Sequence, residues 1–232
     1  IDGEDQIRRP DEHEHDEQWR RHPAHAAADR LAGLTPVTRS LVARSVAEEL
    51  STLAEAERAS AIVVGSAHHG AVGRLVLGSV GDSLIHSAPC AVSVAPLGLA
   101  ACDSRLSSIG VAFDGSPEAW AALETGTGLA ERVHSRLTVV TVAEPSNYGV
   151  GATGMVFAAA ELIDAEKREK QRMLELALSR SPVELPVEGR LISGSAGRRL
   201  AELSADFDLM VLGSRGHGPL GRTVLGSVSS EL

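Results

Sequence analysis

Residues 65–84 read GSAHHGAVGRLVLGSVGDSL and residues 213–232 read GSRGHGPLGRTVLGSVSSEL, with 12 of 20 positions identical at an offset of 148 residues. A match of that length makes the chain a repeat, so its fold must be one unit used twice. The match continues backwards at an offset of 150, where Val37 to Leu53 (VTRSLVARSVAEELSTL) runs parallel to Val187 to Leu203 (VEGRLISGSAGRRLAEL). A two-residue indel therefore falls just before the strand that follows.

The second copy reads almost from its beginning. Ser108 to Phe113 (SIGVAF) is a short apolar run suited to a buried strand. Asp114-Gly115 then supplies turn residues, Ser116 a helix N-cap and Pro117 a first helical position, which predicts a helix to about Val133. Arg136 to Val142 (RLTVVTV) is a second strand, and Glu144 to Met155, rich in small residues, reads as a loop. Phe157 to Ser179 has helical periodicity and an i,i+4 pair, Glu166 and Lys170. Val187 to Ile192 is a third strand, Ala196 to Ser204 a helix, and Leu209 to Leu212 a fourth strand. Strands alternating with helices predict a parallel sheet covered on both faces.

The first copy keeps the later elements and adds Cys90 to Val94 (CAVSV), after Pro89, as a fifth strand. In the second copy 105 residues separate Ser108 from Gly213, whereas 64 precede Gly65, so roughly 40 residues of strand one and its helix are expected upstream. The chain opens on Ile1 and closes at Leu232 before any counterpart of Cys90 to Val94, so both copies are expected to be incomplete. The expected division is residues 1–97, a linker at 98–107 (LGLAACDSRL), and residues 108–232. Ile1 to Arg30, with nine acidic and five basic residues, reads as a solvated segment.

Charge and composition exclude several classes. A net charge of -9 argues against a nucleic-acid partner, which needs a basic face to displace counterions. No stretch approaches the ~20 apolar residues of a membrane span, so no membrane partner is expected. Two cysteines, Cys90 and Cys102, are too few for a disulfide scaffold and have no zinc spacing, so a reducing, cytoplasmic compartment is expected. Cys90 reads as a small hydrophobe at a strand start. His13, His15, His22 and His25 stand among acids in a pattern that matches no structural zinc site, and the adjacent pair His68 and His69 cannot readily converge on one ion.

The chemistry concentrates at Gly213-Ser-Arg-Gly216, followed after nine residues by Gly226-Ser227. Gly213 and Gly216 follow a buried strand, where a missing side chain permits close approach of a ligand to the backbone. Gly226 and Ser227 are placed to open a helix, whose free N–H groups and dipole favour an anion. Such a pair of clusters can cradle phosphates, and the alternative is that the glycines only make turns. There is no GxxxxGK[ST], so this is not a Walker loop.

The spacing Gly213-x2-Gly216-x9-Gly226-Ser227 resembles the ATP-binding pattern of the universal stress protein family, and Ile109-Gly-Val-Ala-Phe-Asp114-Gly-Ser resembles that family's first strand. The resemblance covers residues 31–232 as a tandem pair. It implies a Rossmann-like five-stranded parallel sheet of order 3-2-1-4-5 in each copy, with nucleotide at the carboxyl ends of the strands. Carried over by position, Asp114 lies beside adenosine, Val142 offers backbone contacts to adenine, and Leu212 and Gly213 flank the ribose. Gly216, Gly226 and Ser227 meet the phosphates, with Ser229 a weaker candidate. The implied cofactor is ATP, alone or with magnesium, and the fifth strand is the implied pairing element, within the chain or in a homodimer.

The first copy departs from this pattern, because His68 stands where the second glycine belongs while Gly78-Ser79 is intact. An imidazole there crowds a phosphate or, protonated, contacts it. The leading reading is an ATP-binding regulatory protein acting in a stress response through conformation or association. It is not an enzyme beyond slow ATP hydrolysis, because no nucleophile with a base is visible. The alternatives are a nucleotide-independent interaction scaffold of the same fold and, on weaker grounds, an adenylyl-transferring enzyme.

Overall fold

The computed structural model describes residues 37, 39, 43–66, 78–96, 99, 106–144 and 155–214. Contacts divide the chain between Arg44 and Ser45, and every element below lies after that point. The first copy contributes α1 (Val46–Ala56), β1 (Ala61–Gly65), α2 (Ser79–Ser87) and β2 (Ala91–Ala95). The second contributes β3 (Ser108–Ala112), α3 (Pro117–Val133), β4 (Arg136–Ala143), α4 (Met155–Ser179), β5 (Val187–Ser193), α5 (Ala196–Leu203) and β6 (Leu209–Val211).

All described strand pairs are parallel, β1 on β2 in one sheet and β5-β4-β3-β6 in the other. In chain order within the second copy this is 3-2-1-4, the order expected for its first four strands. The steps from β3 to β4 and from β4 to β5 run in one direction across the sheet. Right-handed crossovers therefore put α3 and α4 on the same face, and both contribute to one core with Ile109, Val111, Leu137 and Val139. The step from β5 to β6 reverses direction, which sends α5 to the opposite face, where it meets β4 and β5. The sheet is doubly wound, and the reversal lies between β3 and β6.

Local chemistry explains why α3 sits where it does. Ser116 Oγ accepts from the Ala119 N–H at 3.2 Å, Pro117 follows it, and His134 closes the helix in the left-handed region at φ 55°. The buried face of α3 is Ala119, Ala122, Leu123, Gly126 and Ala130, four of the five small. Those small residues bring the helix axis close to the sheet, since a Cβ on Gly126 would stand 2.5 Å from Val111 Cγ2. β4 is buried along most of its length, as the central position of an apolar run requires.

Several expected boundaries move by one or two residues. The strand after Pro89 is Ala91–Ala95, with Cys90 in the bend before it, because the proline holds the chain out of the ladder. β3 ends at Ala112 and β6 at Val211, so Phe113 and Leu212 lie just past their strands. α4 begins at Met155, two residues before Phe157, and β5 runs one residue further to Ser193. Ser204 belongs to a 3-10 turn with Ala205 and Asp206 instead of the preceding helix.

At the amino end of the sheet Asp208 clips β6 to β3. Its Oδ2 accepts from the Ser107 N–H (2.9 Å) and hydroxyl (2.8 Å) and from the Ser108 N–H and hydroxyl (both 3.0 Å). The hydrogen bonds from Ser107, backbone first, and then from Ser108 hold the carboxyl below its usual range. A depressed carboxylate stabilises the fold above the ordinary carboxylate range of roughly pH 4, and that contribution disappears as pH falls through the lowered value. Asp208→Ala should lower unfolding free energy at neutral pH by about 1 kcal/mol, discounted for exposure, in urea titrations. The difference from the parent should shrink on acidification; a difference that grows below pH 4 would contradict the clip.

Candidate functional site

In an open α/β sheet the ligand crevice forms at the carboxyl ends of the strands where their order reverses, because the flanking loops there turn to opposite faces. Here that point lies between β3 and β6. The turn after β3 carries Asp114, and the segment after β6 carries Leu212 and Gly213. All three expected residues thus flank the reversal.

The β3 to α3 turn is built around Asp114, whose Oδ1 accepts from the Ser116 N–H at 2.9 Å. Gly115 between them has φ +86°, the left-handed region that a side chain strains. Asp114 is therefore a turn-forming residue, and its carboxylate is exposed beside the reversal. Phe113, directly before it, packs edge to face on Trp120 of α3 at 4.8 Å, and the Arg180 guanidinium lies 4.6 Å from the Trp120 ring.

Val142 stands next in line. The last described rung between β3 and β4 runs from the Phe113 N–H to the Val140 carbonyl at 2.8 Å. Backbone groups two residues apart on a strand face the same neighbour, so the N–H and C=O of Val142 also point to the β3 side. They do so where β3 has already given way to its turn.

Gly213 has a packing role that spacing alone does not distinguish from a ligand role. A Cβ on it would meet the Glu118 carbonyl carbon at 2.6 Å, the Glu118 oxygen at 2.7 Å and the Ala119 nitrogen at 2.9 Å. The chain leaving β6 lies directly on the first turn of α3. Its repeat mate Gly65, at the end of β1, has nothing within 4 Å of such a Cβ among the described residues.

Gly216, Gly226, Ser227 and Ser229 lie outside the described residues, as do His68, His69 and Gly73, the histidines of the first 30 residues, Cys102, and the loop after Glu144. The repeat mate of Gly226-Ser227 is described: Gly78 is the N-cap of α2, extended at φ -67° and ψ 166°, and Ser79 is its first residue. In the first copy that dipeptide does open a helix. As a glycine, Gly78 brings no side chain to cap it.

Glu144 was not legible as a site-building residue. Its Oε1 accepts from the Ala196 N–H at 2.6 Å, and the Gly194 N–H donates to the Ala143 carbonyl at 3.0 Å. Together they mount the start of α5 on the end of β4. The helix from Ala196 was legible, but the carboxylate that meets its first N–H lies 52 residues away in sequence. A groove of about 380 Å³ runs along α4 and β5, lined by Lys167, Arg168 and Leu191 among others, two strands from the reversal. Among the described residues no cluster of histidines, cysteines and acids could hold a metal ion, and no helix is long and apolar enough to cross a membrane.

A doubly wound α/β unit whose strand order reverses between β3 and β6, in a chain whose sequence repeats, is the class these features define. The chain belongs to the universal stress protein family, whose model matches residues 2–96 and 106–232. A universal stress protein of Mycobacterium tuberculosis is 32% identical over 176 residues, covering 75% of this chain and 58% of the relative. A second from the same organism is 24% identical over 191 residues, covering 82% of this chain and 65% of the relative. The chain thus spans 58% of the length of the first of these relatives. A solved universal stress protein from Archaeoglobus fulgidus superposes with TM-score 0.64 at 20% identity, over 97% of this chain and 79% of that one. One from Pseudomonas aeruginosa gives 0.60 at 18% identity, over 91% and 74%. Both of the latter show the shared fold.

The two equivalent glycines supply a paired test. Gly213→Ala forces the β6 segment off the first turn of α3 and should destabilise by ~1–3 kcal/mol, the usual range for overpacking. Gly65→Ala, with open space around it among the described residues, should stay within ~0.5 kcal/mol of the parent. Chemical denaturation of both variants decides it, and equal losses would contradict the packing role of Gly213.

Proposed function

We infer that the second copy binds ATP, alone or with magnesium, and that the bound nucleotide shifts the conformation or association of the protein in a stress response. The observation that carries this reading is the strand reversal flanked by Asp114 on one side and Leu212-Gly213 on the other. The glycine-rich run to Gly226-Ser227 follows directly. In this assignment Asp114 meets the adenosine, the Val142 backbone meets the base, Leu212 and Gly213 border the ribose, and Gly216, Gly226 and Ser227 hold the phosphates. Backbone N–H groups at a helix start suit phosphate oxygens without any lysine. The first copy, with His68 in place of the second glycine, is assigned a partner role.

The same assignment takes residues 1–97 and 108–232 as the two units and 98–107 as their linker. Binding, not turnover, is the proposed activity, with slow hydrolysis as its upper limit. The compartment proposed is the cytoplasm, in keeping with the low cysteine count. β2 pairs with β1 through one edge, and its other edge, unpaired among the described strands, is the proposed contact between copies or between chains. The scaffold reading remains the competitor, and nucleotide affinity separates the two.

Calorimetric titration of the full-length protein with ATP is the test. Gly226→Val puts a branched side chain at the phosphate approach and should weaken binding by far more than the ~1 kcal/mol of one ordinary hydrogen bond. Asp114→Asn keeps an acceptor for the Ser116 N–H while removing the charge, and should cost about 1–2 kcal/mol of affinity in a folded protein. Gly73→Val in the first copy should leave affinity unchanged. Equal losses from Gly226→Val and Gly73→Val, with both variants folded, would remove the second copy as the nucleotide site. Absence of any ATP heat in the parent favours the scaffold.

A further inference from the structure

The turn that carries Asp114 rests on a methionine. A Cβ on Gly115 would overlap Cε of Met173 and lie 3.5 Å from its Sδ. Met173 belongs to the carboxyl half of α4, is half-buried, and packs against the core of the second copy. Its thioether fills the space that a side chain on residue 115 would occupy. Its neighbour Leu174 is 2% exposed and Ala177, one turn on, is fully buried, so α4 is pinned to the sheet at this point. The turn above lies at the surface, Asp114 exposed and Gly115 and Ser116 part-buried, and is shaped by the Asp114–Ser116 and Ser116–Ala119 hydrogen bonds together with the Trp120 N–H donating to the Ser116 carbonyl at 3.0 Å.

We propose that Met173 is an oxidation site that governs this turn: a hydroperoxide converts its thioether to the sulfoxide, and the added oxygen unseats Asp114 to Ser116. A sulfur lone pair attacks one peroxide oxygen, the S–O bond forms as the O–O bond breaks, and the second oxygen leaves with the proton as water or, from an organic peroxide, as alcohol. Sulfur loses two electrons and the peroxide gains them. The product is bulkier and strongly polar where the unmodified side chain was slim and apolar, and it must reach water or a donor. Because α4 is fixed by its buried residues, the turn is the part that moves. Half-burial leaves the sulfur within reach of a small oxidant, and the change is reversible by reductases specific for methionine sulfoxide. The consequence for ATP rests on the nucleotide-site reading above, whereas the loosening of the turn does not.

The experiment treats the full chain with hydrogen peroxide and maps sulfoxides by peptide mass spectrometry. Amide exchange is followed at Ser116, Ala119 and along β4, with ATP affinity measured in parallel. Oxidation of Met173 should lower protection at Ser116 and Ala119 by about tenfold, a local opening, and leave the β4 amides unchanged. Methionine sulfoxide reductases of both epimer specificities should restore protection and a thiol reductant should not, which separates Met173 from Cys90 and Cys102. Met173→Leu, close to it in volume, should keep its protection through the same treatment. Unchanged protection in a chain whose Met173 is oxidised overturns the proposal. So do an equal loss in Met173→Leu, a loss that spreads along β4, and a Met173 that stays reduced at a dose oxidising it in the urea-unfolded chain. A loosened turn with unaltered ATP affinity upholds Met173 as the switch and counts against the nucleotide reading alone.

Discussion

The end of β6 lies on the first turn of α3 with no side chain between them, and the placing of the two segments that flank the strand reversal depends on that contact. Gly213 makes it possible, since any Cβ would press into the Glu118 and Ala119 backbone within 3 Å. Strand reversal brings β3 and β6 side by side, but reversal alone would leave their following segments free to splay. Close packing of Gly213 on α3 ties the outgoing chain to the same turn that Asp114 and Ser116 shape. One glycine thus does two things. It removes bulk from the packed interface and leaves the backbone there beside the strand reversal.

The rest of the second copy reinforces that arrangement from below and from behind. Asp208 holds the starts of β3 and β6 together at the far end of the sheet, so the two strands enter the reversal in register. Small residues along α3 let it approach β3 closely enough for its first turn to reach Gly213. Glu144 does the corresponding work at α5, where its carboxylate meets the first free amide of the helix. These contacts lie on different faces and ends of the sheet. Each fixes a different pair of elements against one another.

Comparison of the two copies separates what a motif says from what its surroundings do. Val63 and Val211 occupy equivalent places in the repeat, yet Val63 is 67% exposed while Val211 packs against the core of the second copy. Gly65 and Gly213 are equivalent too, and only Gly213 is pressed against a helix among the described residues. The same letters therefore carry different burdens. For Val211 and Gly213 the described neighbours are β3 and α3.

The amino-acid sequence by itself determined the tandem repeat, the alternation of strands and helices, and the position of α3, whose Ser116-Pro117 start and end at Val133 follow from local capping chemistry. It also marked Asp114 and Gly213 as residues at the ends of strands, because turn formers after an apolar run are local signals. The strand end at Leu212 was misjudged by a residue because apolar character continues past the point where hydrogen bonding stops, and the strand start at Cys90 because Pro89 holds the chain out of the ladder. Only the tertiary structure decided that Gly213 touches Glu118, that Glu144 caps a helix 52 residues away, that Asp208 grips Ser107 and Ser108, and that Met173 lies under Gly115. The physical reason is range. Capping, turns and periodicity act between residues a few positions apart, whereas these four contacts join segments that only the doubly wound sheet brings together.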